Sequence, residues 1–339
     1  MSDTLRVAVI GAGQIAQRAH LPGYAQAGAE LVALCDNAHP ELESIAAKYQ
    51  IERTYRKWKE MLAEGGFDAV SICTPPFLHY EMAIETLQRG IHVLVEKPMA
   101  VSLSEAEGMV AAAKKSTAML MVSHNQRFTA PHQLVKEILD SGELGRIYLV
   151  HSVLGHSGPE VWSPAQEWYF RPEQAGRGVM ADLGYHKLDL IRWLTGQDYV
   201  RISSFCNTFE KNTTLEDSVV INFQLSGGTL GTMQVSWVFR PDWENSLVLR
   251  CERGMIRVPT EAIDPVKVLR LNRAGKVVDS EHRCSSNDPS GWFGAVQAFV
   301  DAIQAHGPSP VSGEEGCLAM AAVLAASESV VQNKIVSLT

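Results

Sequence analysis

Between residues 5 and 122, short apolar runs alternate with longer amphipathic ones. Leu5–Ile10, Glu30–Cys35, Ala69–Cys73, His92–Val95 and Met119–Val122 are dominated by Val, Ile, Leu, Ala, Met and Cys. Between them lie Ile15–Ala27, Pro40–Tyr49, Tyr80–Arg89 and Leu103–Ser116, long enough for helices and polar on one side. A strand covered by helices on both faces carries no polar alternation, so it reads as an unbroken apolar run. The pattern predicts five or six parallel strands joined by helices, a doubly wound α/β domain.

After Asn125-Gln126-Arg127-Phe128 the texture changes. A helix is expected near His132–Asp140, a turn at Ser141-Gly142, and then mostly strands through residue 283. Ser218–Leu225, Gly231–Val238 and Ser246–Cys251 combine β-branched and aromatic residues with Gly and Pro punctuation, as antiparallel strands do. Helical patterns occupy Met180–Leu194, Pro289–Ala305 and Glu314–Asn333. The second half therefore reads as an α+β domain on an open, mostly antiparallel sheet. At 339 residues the chain exceeds what one core usually organises. The expected division is a dinucleotide-binding domain over 1–124 and a substrate-binding and oligomerisation domain over 125–339, and a cleft between domains is the default binding site.

Composition narrows the function classes. Hydrophobic residues at 46% and charged residues at 20% mark an ordinary globular protein. A net charge of −8 with no basic cluster argues against nucleic acid as a partner. The apolar stretch Cys317–Ala326 falls short of the ~20 residues a bilayer requires, and the first residues lack the pattern of a secretory signal. A cytoplasmic protein without membrane contact is expected. Cys35, Cys73, Cys206, Cys251, Cys284 and Cys317 show no CxxC spacing and read as reduced structural thiols. His151 and His156 stand five apart with no third ligand nearby, so no metal is expected.

The chemistry begins directly after the first strand, at Gly11-Ala12-Gly13-Gln14-Ile15-Ala16. Gly11 would make the tight turn, Gly13 would let a pyrophosphate approach the backbone, and the small Ala16 would let helix and strand pack closely. Gln14 and Ile15 open the helix, whose unpaired N–H groups and partial positive charge suit an anion. Asp36 ends the second strand twenty residues beyond Ala16, where a carboxylate can accept from ribose hydroxyls; read without the fingerprint it is a solvated strand end. Asp36 would also repel a 2′-phosphate, and Asn37-Ala38-His39 offers no cation to neutralise one. NAD is favoured over NADP.

Glu96-Lys97-Pro98 ends the strand His92–Val95, on the edge of the sheet where such domains bind ligands. A lysine there is either a surface charge or a group that polarises a hydroxyl. Thr74-Pro75-Pro76-Phe77-Leu78-His79 follows the preceding strand, and Gly176-Arg177-Gly178 leads through Val179-Met180-Ala181 into Asp182-Leu183-Gly184-Tyr185-His186. Four residues apart on a helix, Asp182 and His186 share one face. In order, spacing and domain placement these three motifs resemble the Gfo/Idh/MocA family, named for glucose-fructose oxidoreductase, inositol dehydrogenase and rhizopine catabolism, over essentially the whole chain.

The resemblance implies an N-terminal Rossmann domain, a C-terminal α+β domain, and hydride transfer between nicotinamide and a secondary alcohol or ketone of a sugar or polyol. It places Thr74, Pro75, His79, Glu96 and Lys97 on the cofactor side, with Lys97, Asp182 and His186 as the catalytic set. His186 would accept the hydroxyl proton, Lys97 would hydrogen-bond the same oxygen, and Asp182 would orient a neighbouring hydroxyl. Relatives differ in whether the lysine or the histidine takes the proton, and that choice stays open, as does a cis bond before Pro98. Two other readings of the architecture are a redox-neutral enzyme with tightly held NAD and a non-catalytic dinucleotide-binding sensor; the presence of both Lys97 and His186 weighs against the sensor.

The chain departs from the family pattern at Trp168-Tyr169, where many relatives carry Trp-Arg, and at Arg177, where a middle glycine is common. Arg127 is read either as a substrate-side residue or as a structural ion-pair donor. Trp162, Trp168 and Tyr169 would stack on a sugar ring or belong to the core. The resemblance also implies a homodimer or homotetramer formed through the C-terminal sheet, a role the apolar run Thr232–Phe239 would suit.

Overall fold

The computed structural model describes Thr4–Leu338 except residues 164–166, 262–263, 273 and 285–286; the side chain of Trp162 also lies outside the description. The chain forms two units. One comprises the residues up to Asn125 together with Ser290–Cys317; the other comprises Gln126–Pro289 together with the residues from Leu318 onward. The sequence pattern divides the chain once, after residue 124. The structure divides it at 125/126 and returns Ser290–Cys317 to the first unit, a feature that periodicity does not encode.

In the first unit, six parallel strands are ordered β3-β2-β1-β4-β5-β6, with β1 Arg6–Ile10, β2 Glu30–Cys35, β3 Arg53–Tyr55, β4 Ala69–Ile72, β5 His92–Val95 and β6 Leu120–Val122. Every residue of β4 is buried, as are Val7–Ile10 and Val93–Val95, which explains the unbroken apolar runs. The strand β3 was not expected: three half-buried residues on the sheet edge leave no apolar run to see. The order reverses between β1 and β4, and the crevice at the carboxyl ends of strands beside such a switch is where open α/β sheets bind ligands.

Local contacts explain why Ser290–Cys317 belongs here. The helix Trp292–Gln304 packs on Leu21–Gln26, where a Cβ on Gly23 would lie 3.1 Å from Val296 Cβ. The Val122 amide donates to Val311 O at 3.0 Å, and Asn125 Nδ2 donates to Ser290 O at 2.6 Å.

The second unit is built on a nine-stranded sheet, ordered β14-β13-β12-β11-β7-β10-β9-β8-β15. Its strands are β7 Ile147–Gly155, β8 Tyr199–Asn207, β9 Ser218–Leu225, β10 Leu230–Ser236, β11 Glu244–Cys251, β12 Gly254–Val258, β13 Val266–Leu271, β14 Val277–His282 and β15 Val336–Ser337. Neighbours are antiparallel except β7 and β10. One face buries Ile202, Ile221, Phe223, Met233, Val235, Leu247 and Leu249, and the helices Ala130–Asp140 and Tyr185–Thr195 pack with this unit. The alternate positions Leu149, Phe205, Val220 and Leu230 are exposed.

Two helices expected to be regular begin with π turns. Ala16–His20 precedes the α-helix Leu21–Gln26, and Met180–Gly184 precedes Tyr185–Thr195. In the first, Pro22 cannot donate to the carbonyl one turn back, so an α ladder is already broken there. No helix among the described residues is long and apolar enough to cross a membrane.

Candidate functional site

At the head of the first unit's sheet, Gly11 has φ +96°, and a Cβ on it would lie 2.7 Å from Cys73 O. Only glycine fits, and the turn it makes is bare of side-chain atoms. Gln17 N donates to Gly13 O, so the helix starts at Gly13 and the amides of Gly13, Gln14 and Ile15 stand at its N-terminus. Asp36 is held at the end of β2 by three backbone amides: Ala12 N donates to Oδ2 at 2.8 Å, and Ala38 N and His39 N donate to Oδ1 at 2.9 and 2.8 Å. A glycine turn closed to side chains, a helix N-terminus and an anchored carboxylate fit a dinucleotide: pyrophosphate on the amides, ribose on Asp36.

Arg56 was missed by sequence reading. Its guanidinium donates to His39 O at 2.8 Å and to Glu43 Oε1 at 2.9 Å. A cation therefore lies near Asp36 after all, delivered by the chain just beyond β3 and tied to a carboxylate of its own. The unseen strand is the reason it was unseen.

His79 joins the two loops that carry the sequence motifs. Fully buried, it places Nε2 2.7 Å from Thr74 O and Nδ1 3.0 Å from Pro98 O. Burial pushes its imidazole pKa down, against the two carbonyls, which favour the charged form. Its nitrogens are thus committed to the backbone, and Thr74, Pro75 and the Glu96-Lys97-Pro98 loop are braced together by it. The Lys97–Pro98 peptide is cis. Glu96 is also buried; its carboxylate lies 2.9 Å from His20 Nε2 and accepts from Lys97 N at 3.2 Å.

In the second unit the glycine turn before Asp182 is pinned by Glu216, another residue the sequence did not single out. Gly178 N and Met180 N donate to Glu216 Oε1 at 3.0 and 3.2 Å, and Val179 N donates to Glu216 O. A Cβ on Gly178 would come within 2.1 Å of that carbonyl oxygen, so the second glycine of the turn is obligatory. Burial raises the Glu216 carboxyl pKa, against the amides that donate to it. Arg177 Nε donates to Ser327 Oγ at 2.7 Å.

Asp182 sits in the π turn, 7% exposed, and its Oδ2 accepts from Trp237 Nε1 at 3.0 Å. Trp237 is fully buried and packs edge-on against Phe170, 5.8 Å between centroids. His186 follows at the start of the α-helix, half-buried. Arg127 and Asp189 form a two-point ion pair at 2.8 and 2.6 Å, both side chains 2% exposed, which is the structural alternative for that arginine. Trp168 and Tyr169 stack on each other at 3.8 Å. Among the described residues no cluster of His, Cys, Asp or Glu could hold a metal.

Comparison with known proteins agrees with this geometry. Residues 5–124 match the oxidoreductase family's NAD-binding Rossmann fold, and 132–257 match the GFO/IDH/MocA C-terminal domain. D-glucoside 3-dehydrogenase of Escherichia coli is 33% identical over 212 residues, 62% of this chain and 59% of that protein. The 1,5-anhydro-D-fructose reductase of Ensifer adhaerens is 26% identical over 326 residues, 94% of each. A levoglucosan dehydrogenase solved in complex with NADH shares the fold with a TM-score of 0.91, at 21% identity over 99% of this chain and 100% of that one. The two domain matches together span most of the chain, and it belongs to the Gfo/Idh/MocA family of oxidoreductases, with an NAD-binding Rossmann domain followed by the family's C-terminal domain.

Proposed function

We propose that the protein transfers a hydride between NAD and a secondary alcohol or ketone of a small sugar, with Lys97, Asp182 and His186 as its catalytic residues. The observation that carries this reading is Asp182, a buried carboxylate fixed by the Trp237 indole N–H, one turn before His186. A carboxylate so held is oriented to accept from a hydroxyl rather than free to swing.

Bound NAD supplies the hydride acceptor. The chain supplies the rest: oxidation of the alcohol carbon requires the hydroxyl proton to leave as the hydride does. His186 accepts that proton, Lys97 hydrogen-bonds the oxygen and stabilises its developing negative charge, and Asp182 fixes a neighbouring hydroxyl. Asp36 in place of a cation favours NAD. Sugar substrates are supported by the relatives, which act on glucosides and anhydro-fructose. The substrate-side roles of Arg127 and Trp168 receive less support, since the first is spent on Asp189 and the second on Tyr169.

Nicotinamide absorbance, followed with NAD and NADP against glucosides, anhydro-sugars, inositols and uronic acids, tests the proposal. A signal with NAD that falls by about 10³-fold in Lys97→Met and about 10²-fold in His186→Asn is expected. Undiminished turnover in both variants, or silence across the panel, would reject it.

The exposed apolar face of the nine-stranded sheet belongs to the same proposal. Phe205 and Val220 are cross-strand partners, as are Leu149 and Leu230, and all four face outward. Such a patch on a folded unit is what a second copy of the chain would cover. The free cysteines fit the reducing cytoplasm.

A further inference from the structure

Behind Lys97 runs a line of four buried side chains from four elements. Tyr24 Oη, in the helix Leu21–Gln26, lies 2.6 Å from Ser71 Oγ in β4. Ser71 Oγ lies 3.0 Å from His20 Nδ1 at the end of the first π turn, and His20 Nε2 lies 2.9 Å from Glu96 Oε1. Tyr24 and Ser71 are fully buried and His20 is 1% exposed. Neither dinucleotide binding nor hydride transfer, as set out above, uses any of the first three.

With His20 neutral, the protons in this line have one order. Burial pushes the Tyr24 hydroxyl pKa far up, so it keeps its proton and donates to Ser71. Ser71 then spends its own proton on His20 Nδ1, which must carry a lone pair. The ring proton is left on Nε2, where it is donated to Glu96. The line carries one negative charge, on the carboxylate, and ends at a buried tyrosine with no outlet to water. It orients groups; it does not pass protons.

Five groups face Glu96: His20 from the first helix, Cys73 at the end of β4, His79 from the helix His79–Gln88, Ser123 after β6, and Lys97 next in the chain. Burial raises the Cys73 thiol pKa and lowers that of the His79 imidazole, while the charge of Lys97 favours the ionised Glu96. Burial alone would raise the Glu96 carboxyl pKa. The His20 hydrogen bond, then Ser123 and Lys97, outweigh it and hold it below its ordinary value. His20 closes the π turn Ala16–His20, and from there its ring spans Ser71 and Glu96.

We propose that His20 is a positioning residue for Lys97: as the Nε2–H tautomer it keeps Glu96 ionised and fixed, and Glu96 fixes the charge and place of Lys97 at the end of β5. This rests on the reading of Lys97 as the group that stabilises the substrate oxygen.

Three substitutions at His20 separate positioning from mere packing. Gln presents an amide N–H where Nε2–H was, Asn presents one only as far out as Nδ1, and Leu presents none. Without the His20 donor, buried Glu96 keeps only the Lys97 amide and Ser123, holds its proton to higher pH, and loses the negative charge it sets near Lys97. In His20→Leu and His20→Asn, kcat/KM for the sugar active in the panel should fall about 10²-fold near about pH 6 and recover toward about pH 9, where the carboxylate returns. His20→Gln should keep the parent's pH profile. Nitrogen NMR of the imidazole in the parent protein should show Nε2 protonated and Nδ1 bare, with no dependence on activity. A pH profile unchanged in shape in both His20→Asn and His20→Gln, or an Nδ1–H tautomer, would overturn the proposal even if one variant fails to fold. Full activity in Lys97→Met would instead remove the reading beneath it, a result distinct from either.

Discussion

Lys187, the residue after His186, is fully buried, and among the described residues its ammonium has no hydrogen-bond partner. Burial pushes its pKa down to about 7, with only the charge of Glu244 opposing. His132 is pushed down to about 3, by burial first and by Lys187 second. Unfolding returns the lysine to roughly 10.4. Between about 7 and 10.4 the unfolded chain therefore binds more protons than the native one, and this group makes stability rise with pH across that window. Below about 7 both states hold the proton, and the full cost of burying the charge is present. Lys187→Met should therefore stabilise the protein by about 1–4 kcal/mol at neutral pH. Thermal melts across that window should show the gain in Tm shrinking as pH rises; a gain constant with pH would mean that the lysine keeps its proton when folded.

The same scale shows why some site residues were legible and others were not. Gly11 and Asp36 belong to a fingerprint of fixed spacing after the first two strands, so spacing revealed them although their contacts, Cys73 for Gly11 and Ala12 for Asp36, are distant in sequence. His79 was placed with the cofactor because its motif is, but its partners are two backbone carbonyls that no sequence pattern announces. For Arg127 the alternatives turned on a partner 62 residues away, Asp189, which is visible only once helix and turn are folded.

Among elements, the π turns matter most, because Asp182 and His20 both sit in one. Helical periodicity predicted helices at both places and gave no sign of the wider turn, since a single inserted residue barely changes the apolar pattern. In the second unit the consequence is that Asp182 meets a strand-end residue, Trp237, just after β10. Trp237→Phe would keep the buried ring and remove the donor, leaving a buried carboxylate short of one hydrogen bond at about 1–3 kcal/mol. KM for the sugar should rise about 10-fold while NAD affinity measured by calorimetry stays unchanged. Equal losses in sugar and NAD binding would show that the indole supports the fold rather than Asp182. The strand β3, three residues long, was invisible for the opposite reason: too short for any period to register.

At the scale of the whole molecule, the fold class was readable because each sheet writes its own signature, unbroken apolar runs in the first and alternation in the second. That alternation leaves Phe205 68% exposed on the outer face of the second sheet. If a second copy covers this face, Phe205→Glu should shift the protein toward monomer in analytical ultracentrifugation while leaving each chain folded; an unchanged sedimentation profile would mean that this face joins no copies. What the pattern could not show was the path of the chain, which leaves the first unit at Asn125 and re-enters it at Ser290. On the ribosome, the Rossmann sheet is complete in sequence by residue 122, yet the helix Trp292–Gln304 that covers Leu21–Gln26 is still unsynthesised. The nascent first unit must wait with that apolar surface open until the second unit has emerged. A cut after residue 124 should therefore leave the Leu21–Gln26 surface uncovered.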